Sequence, residues 1–328
     1  MLSQTATTMT PEQSAWFADT FDALVENIGL AVLGKEHVVR LALTAMLAEG
    51  HLLLEDAPGT GKTSLAKAIA ATVQGTHSRI QFTPDLLPSD VTGVTIYDQA
   101  TRTFDFHEGP IFASVVLADE INRASPKTQS ALLEVMEESR VTVDKVSHFV
   151  GRPFMVIATQ NPIEQAGTYR LPEAQLDRFL IKTSLGYPDR DSMVRIFAGA
   201  AQRDRTSVLT ARITTAGVAE MADLAAGVHT DGAVLDYVAR LAEETRLDPQ
   251  TALGVSVRGG LSLVRAAKVW AASQGRSYVI PDDIKLLAEP VLAHRIMLET
   301  EAEFAGVTAQ QVLGRILAAT DPPAARIG

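Results

Sequence analysis

The sequence predicts an α/β chain in which a mainly parallel sheet is followed by an all-helical second domain. Short apolar runs alternate with helical periodicity as far as Ser184, a Pro- and Gly-rich loop separates the first of these runs from a helix at Lys62, and the strand pattern stops around Gly186-Tyr187-Pro188. A length of 328 residues suits two domains better than one, and the division is expected at 1–186 and 187–328.

The elements follow in order. Thr10-Pro11-Glu12-Gln13 opens the first helix: Thr10 caps it, Pro11 suits the first helical position and Gln13 reaches back to complete a capping box. Helical spacing runs on from Trp16 to Ile28, and after Gly34 a second apolar helix covers Val38 to Ala48. His51 to Glu55 is a short run bounded by turn residues, the pattern of a buried parallel strand. Then come helix Lys62 to Val73, strands Arg79 to Phe82 and Val115 to Asp119, helix Pro126 to Glu138, and strands Phe154 to Thr159 and Phe179 to Ser184. Val94–Tyr97 with Thr103–Phe106, and Val141–Val143 with His148–Val150, alternate like hairpins that project from the core. The rest is rich in Ala, Leu, Arg and Glu, with helices expected over Arg190–Gln202, Ala216–Ala226, Gly232–Arg246, Arg258–Ala272, Pro281–Arg295 and Ala309–Ala318.

Composition excludes several function classes. Hydrophobic residues at 46% and charged residues at 21% rule out a wholly disordered chain. No apolar run reaches the roughly 18 residues that span a bilayer, and Met1 to Thr10 lacks the basic start and apolar stretch of a secretion signal, so a cytoplasmic protein is expected. The absence of cysteine removes disulfides, thiolate metal sites and a cysteine nucleophile. A formal charge of −10 disfavours a long polyanion as partner, and aromatics at 5% offer few platforms for stacking bases.

Asp56-Ala57-Pro58-Gly59-Thr60-Gly61-Lys62-Thr63 follows a strand and opens a helix, the context of a phosphate cradle. Gly59 and Gly61 let backbone N–H groups approach phosphate oxygens, Lys62 pairs with the β- and γ-phosphates, and Thr63 ligates Mg²⁺. The general pattern has Gly where this chain has Asp56, so the loop entry must turn without that flexibility. Val115 to Glu120 is an apolar strand ending in two carboxylates; adjacent strand residues face opposite ways, so Asp119 is assigned to the Mg²⁺ shell and Glu120 to orienting and deprotonating a water. A third apolar run ends in Gln160-Asn161-Pro162, where Asn161, more than Gln160, either bonds the γ-phosphate or the attacking water or simply caps the turn before Pro162. Arg178 either pairs with Asp177 or is a finger offered to a neighbouring subunit's nucleotide. Arg258, at the start of a helix, either reports nucleotide state to the helical domain or is an ordinary surface arginine.

The order of these features resembles the AAA+ ATPases, whose fold joins a P-loop parallel-sheet domain to a helical lid. Within them the chain is similar to the MoxR family through the strings Gln81 to Gly93, Glu108 to Ala113, Ala118 to Glu134 and Ala158 to Pro162. The resemblance covers roughly residues 10 to 320. It implies an ATP site in which Pro58, Gly59, Thr60, Gly61, Lys62, Thr63 and Ser64 form the Walker A region, Asp119 and Glu120 Walker B, Asn161 sensor 1, Arg178 the finger and Arg258 sensor 2. Val32, Leu33 and Gly34 fall where relatives line the adenine pocket, residues 83–107 at the helix-2 insert and 141–150 at the pre-sensor-1 hairpin. It further implies a Mg²⁺-dependent, oligomeric, hexameric ATPase that remodels, matures or metallates protein complexes with a von Willebrand factor A domain partner. The rival readings are a DNA or RNA motor, a small-molecule kinase, and a nucleotide-gated scaffold with negligible turnover. The inserts offer Arg102 and Lys145 but also Asp98, Asp105 and Asp144, which makes nucleic acid the weaker partner.

Overall fold

The computed structural model describes residues 9–56, 59–160, 169, 171–199 and 205–323. Two helices, α1 (Pro11–Ala31) and α2 (Glu36–Leu47), precede strand β1 (Leu52–Glu55). The first opens on the expected box, with Thr10 N–H donating to Gln13 Oε1 at 2.9 Å and Gln13 N–H to Thr10 Oγ1 at 3.2 Å. Next come α3 (Lys62–Thr72), β2 (His77–Gln81), α4 (Pro88–Thr92), the hairpin β3 (Gly93–Asp98) and β4 (Thr103–Glu108), β5 (Val115–Asp119) and α5 (Pro126–Glu138). A second hairpin, β6 (Arg140–Val143) and β7 (Val146–Phe149), leads to β8 (Met155–Gln160), α6 (Glu173–Leu176), β9 (Ile181–Thr183) and α7 (Arg190–Ala198).

Five strands form one sheet in the order β2-β5-β8-β1-β9, and the pairs β2–β5, β5–β8 and β8–β1 are parallel. Non-consecutive neighbours require crossovers, which α3 and α5 supply. The central strands are apolar on both faces because both are covered: Val115 to Ala118 and Met155 to Ala158 are all fully buried. On one face Leu53, Ile80, Val116, Val156 and Ala158 join Leu132, Leu133 and Met136 of α5 in a single cluster.

The helical part contains α8 (Thr215–Ala226), α9 (Gly232–Leu247), α10 (Val257–Ser273), α11 (Pro281–Leu292), α12 (Thr300–Phe304) and α13 (Ala309–Ala319). Helices α9, α10, α11 and α13 pack on one another through buried Tyr237, Leu241, Leu263, Ala266, Leu287, Val291 and Leu313. A half-buried pair, Arg276 Nη2 to Asp283 Oδ1 at 2.6 Å, holds the start of α11. Helical spacing does not announce the small antiparallel pair in this part, β10 (Thr251–Leu253) with β11 (Met297–Leu298).

Two compact units emerge, Ala23–Phe179 with Thr183–Ala219, and the remainder. The chain from Thr183 to Ala219 groups with the sheet, where Asp56 accepts the Leu185 and Gly186 N–H groups and Tyr187 C=O accepts Lys35 Nζ. The expected helix Arg190–Gln202 ends at Ala198, and residues 200–204 lie outside the described residues. Among the described residues no helix is long and apolar enough to cross a membrane.

His51 bridges three elements from inside the sheet unit. Its Nδ1 accepts the Val156 N–H at 3.0 Å and its Nε2 lies 2.9 Å from the Met136 carbonyl, so the ring is neutral with its proton on Nε2. His51→Ala strands a buried donor and a buried acceptor, which should lower stability by about 2 to 4 kcal/mol. Urea unfolding followed by far-UV circular dichroism checks this, and a loss under about 0.5 kcal/mol would show that the bridge is not needed.

Candidate functional site

The loop after β1 turns into α3 through two left-handed glycines, Gly59 at φ +84° and Gly61 at φ +97°. Among the described residues, a Cβ at either position would meet nothing within 4 Å. Backbone conformation, not crowding, therefore demands glycine, and the space in front of the loop is left open for a ligand. Lys62 is the first residue of α3, and its Nζ donates to the Asp56 carbonyl at 3.3 Å. Ala57 and Pro58 lie outside the described residues.

Two adjoining cavities meet at this loop and share Gly59, Thr60, Gly61 and Thr63. One, of about 440 Å³, is also lined by Lys62, Asp119, Glu120, Thr159, Arg79 and Gln81. The other, of about 550 Å³, is lined by Val32, Leu33, Ser64, Lys67, Pro188 and Ile196, among others. Both volumes are those of small-ligand sites. One end is polar and carries both cations and carboxylates, and the other is partly apolar.

The acidic pair departs from strand alternation. Strand β5 ends at Asp119, and Glu120 adopts a left-handed conformation at φ 56°, ψ 49°. Both carboxylates consequently line the same cavity, where alternation along a strand would have set them on opposite faces. Thr159, near the end of β8, ties the Asp119 carboxylate to the Glu120 backbone: its hydroxyl donates to Asp119 Oδ1 at 2.6 Å and accepts the Glu120 N–H at 2.9 Å. Arg79 Nη2 pairs with Asp119 Oδ2 at 2.6 Å, while Gln81 Nε2 and Arg123 Nη1 each reach Glu120 Oε2 at 2.9 Å. Burial, with the charges of Lys67 and Arg79, holds the His77 imidazole at the start of β2 below its ordinary pKa.

The remaining expected residues divide. Val32, Leu33 and Ser64 line the second cavity, and Gly34 adjoins it beside Ser192. Asn161 lies outside the described residues. Arg178 follows α6 and pairs with Glu137 at 3.1 Å, not with Asp177, and it lines neither cavity. Arg258 sits exposed in the first turn of α10, in the other compact unit. The sequence reading assigned no task to Thr159, Arg79, Gln81 or Arg123; the available signal was polar residues at the carboxyl ends of neighbouring buried strands.

Comparison with known proteins places the chain in a family. Residues 51–181 match the family described as ATPase family associated with various cellular activities (AAA), and residues 243–316 match the AAA lid domain. The Bacillus subtilis protein YeaC is 46% identical over 302 residues, which cover 92% of this chain and 94% of that one. Chaperone MoxR1 of Mycobacterium tuberculosis is 39% identical, over 91% of this chain and 81% of its own length. A solved structure from Cytophaga hutchinsonii superposes with a TM-score of 0.89 at 36% identity, covering 95% of this chain and 98% of that one.

Thr159→Val keeps the side-chain shape and removes the hydroxyl, leaving the Glu120 N–H without its acceptor. Stability should fall by about 1 to 3 kcal/mol in a urea titration, whereas an unchanged midpoint would mean that another group takes over both bonds.

Proposed function

The chain belongs to the MoxR family of AAA+ ATPases, and on that premise we propose that it hydrolyses ATP with Mg²⁺ at the cleft around the glycine loop. The observation that carries this reading is the convergence of Lys62, Thr63, Asp119 and Glu120 on one cavity that adjoins a partly apolar second one. The triphosphate lies against the loop amides and the start of α3, where N–H groups and the helix dipole favour negative charge. Lys62 pairs with the β- and γ-phosphates, and Val32 and Leu33 flank the base. Thr63 and Asp119 would hold the Mg²⁺: both offer hard oxygen donors in the same cavity, the kind of set Mg²⁺ takes beside phosphate oxygens and water. When bound, the ion neutralises charge on the phosphates. Glu120 orients the attacking water and takes its proton; Asn161 assists at the γ-phosphate.

Arg178 lines neither cavity of its own chain, which supports its action on the nucleotide of a neighbouring subunit in an oligomer, a hexamer by family resemblance. Guanidinium charge supplied in trans stabilises the transferring phosphoryl group. Arg258 couples the lid to nucleotide state. Turnover is coupled to chaperone-like remodelling, maturation or metallation of protein complexes in the cytoplasm, with a von Willebrand factor A domain protein as partner. Exposed apolar side chains on the first hairpin, Ile96, Tyr97 and Phe104, favour a protein client over nucleic acid.

Lys62→Ala should abolish ATP binding in calorimetry. Glu120→Gln should keep ATP binding and lose about 10²- to 10⁴-fold in turnover. Mixing Arg178→Ala with Glu120→Gln subunits should recover part of the wild-type rate, because some interfaces regain a complete set; no recovery from two inactive variants would place Arg178 outside the neighbour's site. Glu120→Gln held in ATP is also the bait with which a von Willebrand factor A domain partner should be captured.

A further inference from the structure

Asp56 occupies the position where the general phosphate-loop pattern carries glycine, and the mechanism above gives its side chain no task. The carboxylate is 5% exposed, yet it is fully engaged. Oδ1 accepts the Ser184 hydroxyl at 3.0 Å and the Gly186 N–H at 2.8 Å, and Oδ2 accepts the Leu185 N–H at 2.6 Å. Its backbone is held as well: the N–H donates to the Gln160 carbonyl at 3.2 Å, and the C=O accepts Lys62 Nζ at 3.3 Å. One residue thus joins the entry of the phosphate loop to the chain leaving β9.

That chain leads directly to the other end of the cleft. Tyr187 C=O accepts Lys35 Nζ at 2.7 Å, and Pro188 lines the second cavity with Val32, Leu33 and Ile196. Asp189 then caps α7 by accepting the Ser192 N–H at 2.8 Å, and Ile196 lies on that helix. No glycine at position 56 reproduces this. Without the carboxylate, the Leu185 and Gly186 N–H groups lose this acceptor.

We propose that Asp56 is a positioning residue for the nucleotide: its carboxylate fixes the base-side wall of the cleft against the phosphate loop, so that a nucleoside triphosphate is gripped at both ends. This rests on the reading of the cleft as an ATP site. A ligand that carries phosphates and no base uses only the loop and is indifferent to where the second wall stands. Asp56→Asn separates the two cases. The amide retains one acceptor oxygen but sets an NH₂ group against a backbone N–H, so the tie loosens while the loop glycines and Lys62 are unaltered.

The test is displacement of a fluorescent ATP analogue from the full chain by ATP and, separately, by inorganic tripolyphosphate. Asp56→Asn should weaken ATP about tenfold and leave tripolyphosphate within about twofold of wild type. Equal weakening of both ligands, or no weakening of ATP, overturns the proposal. If Asp56→Asn does not fold, Ser184→Ala, which removes one of the bonds to Oδ1, carries the same test with an expected loss of about threefold for ATP alone. A wild-type chain that binds neither ligand overturns the ATP reading, an outcome distinct from equal weakening in the variants.

Discussion

The pairing of β8 between β1 and β5 is the constraint on which the cleft depends. Glu55 stands opposite Gln160, and Ala118 opposite Ala158, so the carboxyl ends of three strands finish at one level. Strand β2 adds Gln81 beside Asp119. Parallel strands deliver all their following residues to the same edge, which is where ligands bind in sheets of this kind. A slip of β8 by one residue would replace Thr159 by Ala158 or Gln160 and turn every side chain of the strand over. The hydroxyl that joins the Asp119 carboxylate to the Glu120 N–H exists only in this register.

Charge at that edge is balanced locally. Two adjacent acids in one cavity repel, and here Arg79 and Arg123 each take one while Thr159 and Gln81 satisfy what remains. The chain as a whole carries −10, which on its face argues against a phosphate ligand. Close to the loop the balance is different, because Lys62 and Arg79 line the cavity that holds the acids and Lys67 lines the adjoining one. Total charge governs long-range approach; the site needs only near donors.

Two elements were legible in the sequence to the residue, while the buried strands β1 and β8 came within one residue of their expected ends. Val115–Asp119 and Pro126–Glu138 have the bounds their patterns indicate, the first because an apolar run can end only where it meets water, the second because Ser125 caps the helix and Pro126 starts it. Strands β10 and β11 were not legible, since two or three residues carry no period. At the site, the loop could be read because its chemistry is local: glycine conformation, a lysine and a helix start. Thr159 and Asp56 could not, because their partners lie far along the chain, Asp119 for the one and Ser184 to Gly186 for the other. Arg178 shows the same limit, since its partner is Glu137 and not its neighbour Asp177.

Glu120 and Asp56 each break a local rule, and the reason is common to both. A left-handed backbone at a residue with a side chain costs of order 1 to 3 kcal/mol, and glycine at position 120 would avoid that cost. Glycine would also lose the carboxylate, and alternation along an undisturbed strand would carry it to the other face of the sheet. The strained turn is held because Thr159 accepts the N–H and Gln81 and Arg123 bind the side chain. At position 56, flexibility is given up instead, and the loop entry is held by bonds to a distant segment. In both places long-range hydrogen bonds replace local preference, so the geometry of the cleft is set by the sheet and the chain that follows it more than by the loop itself.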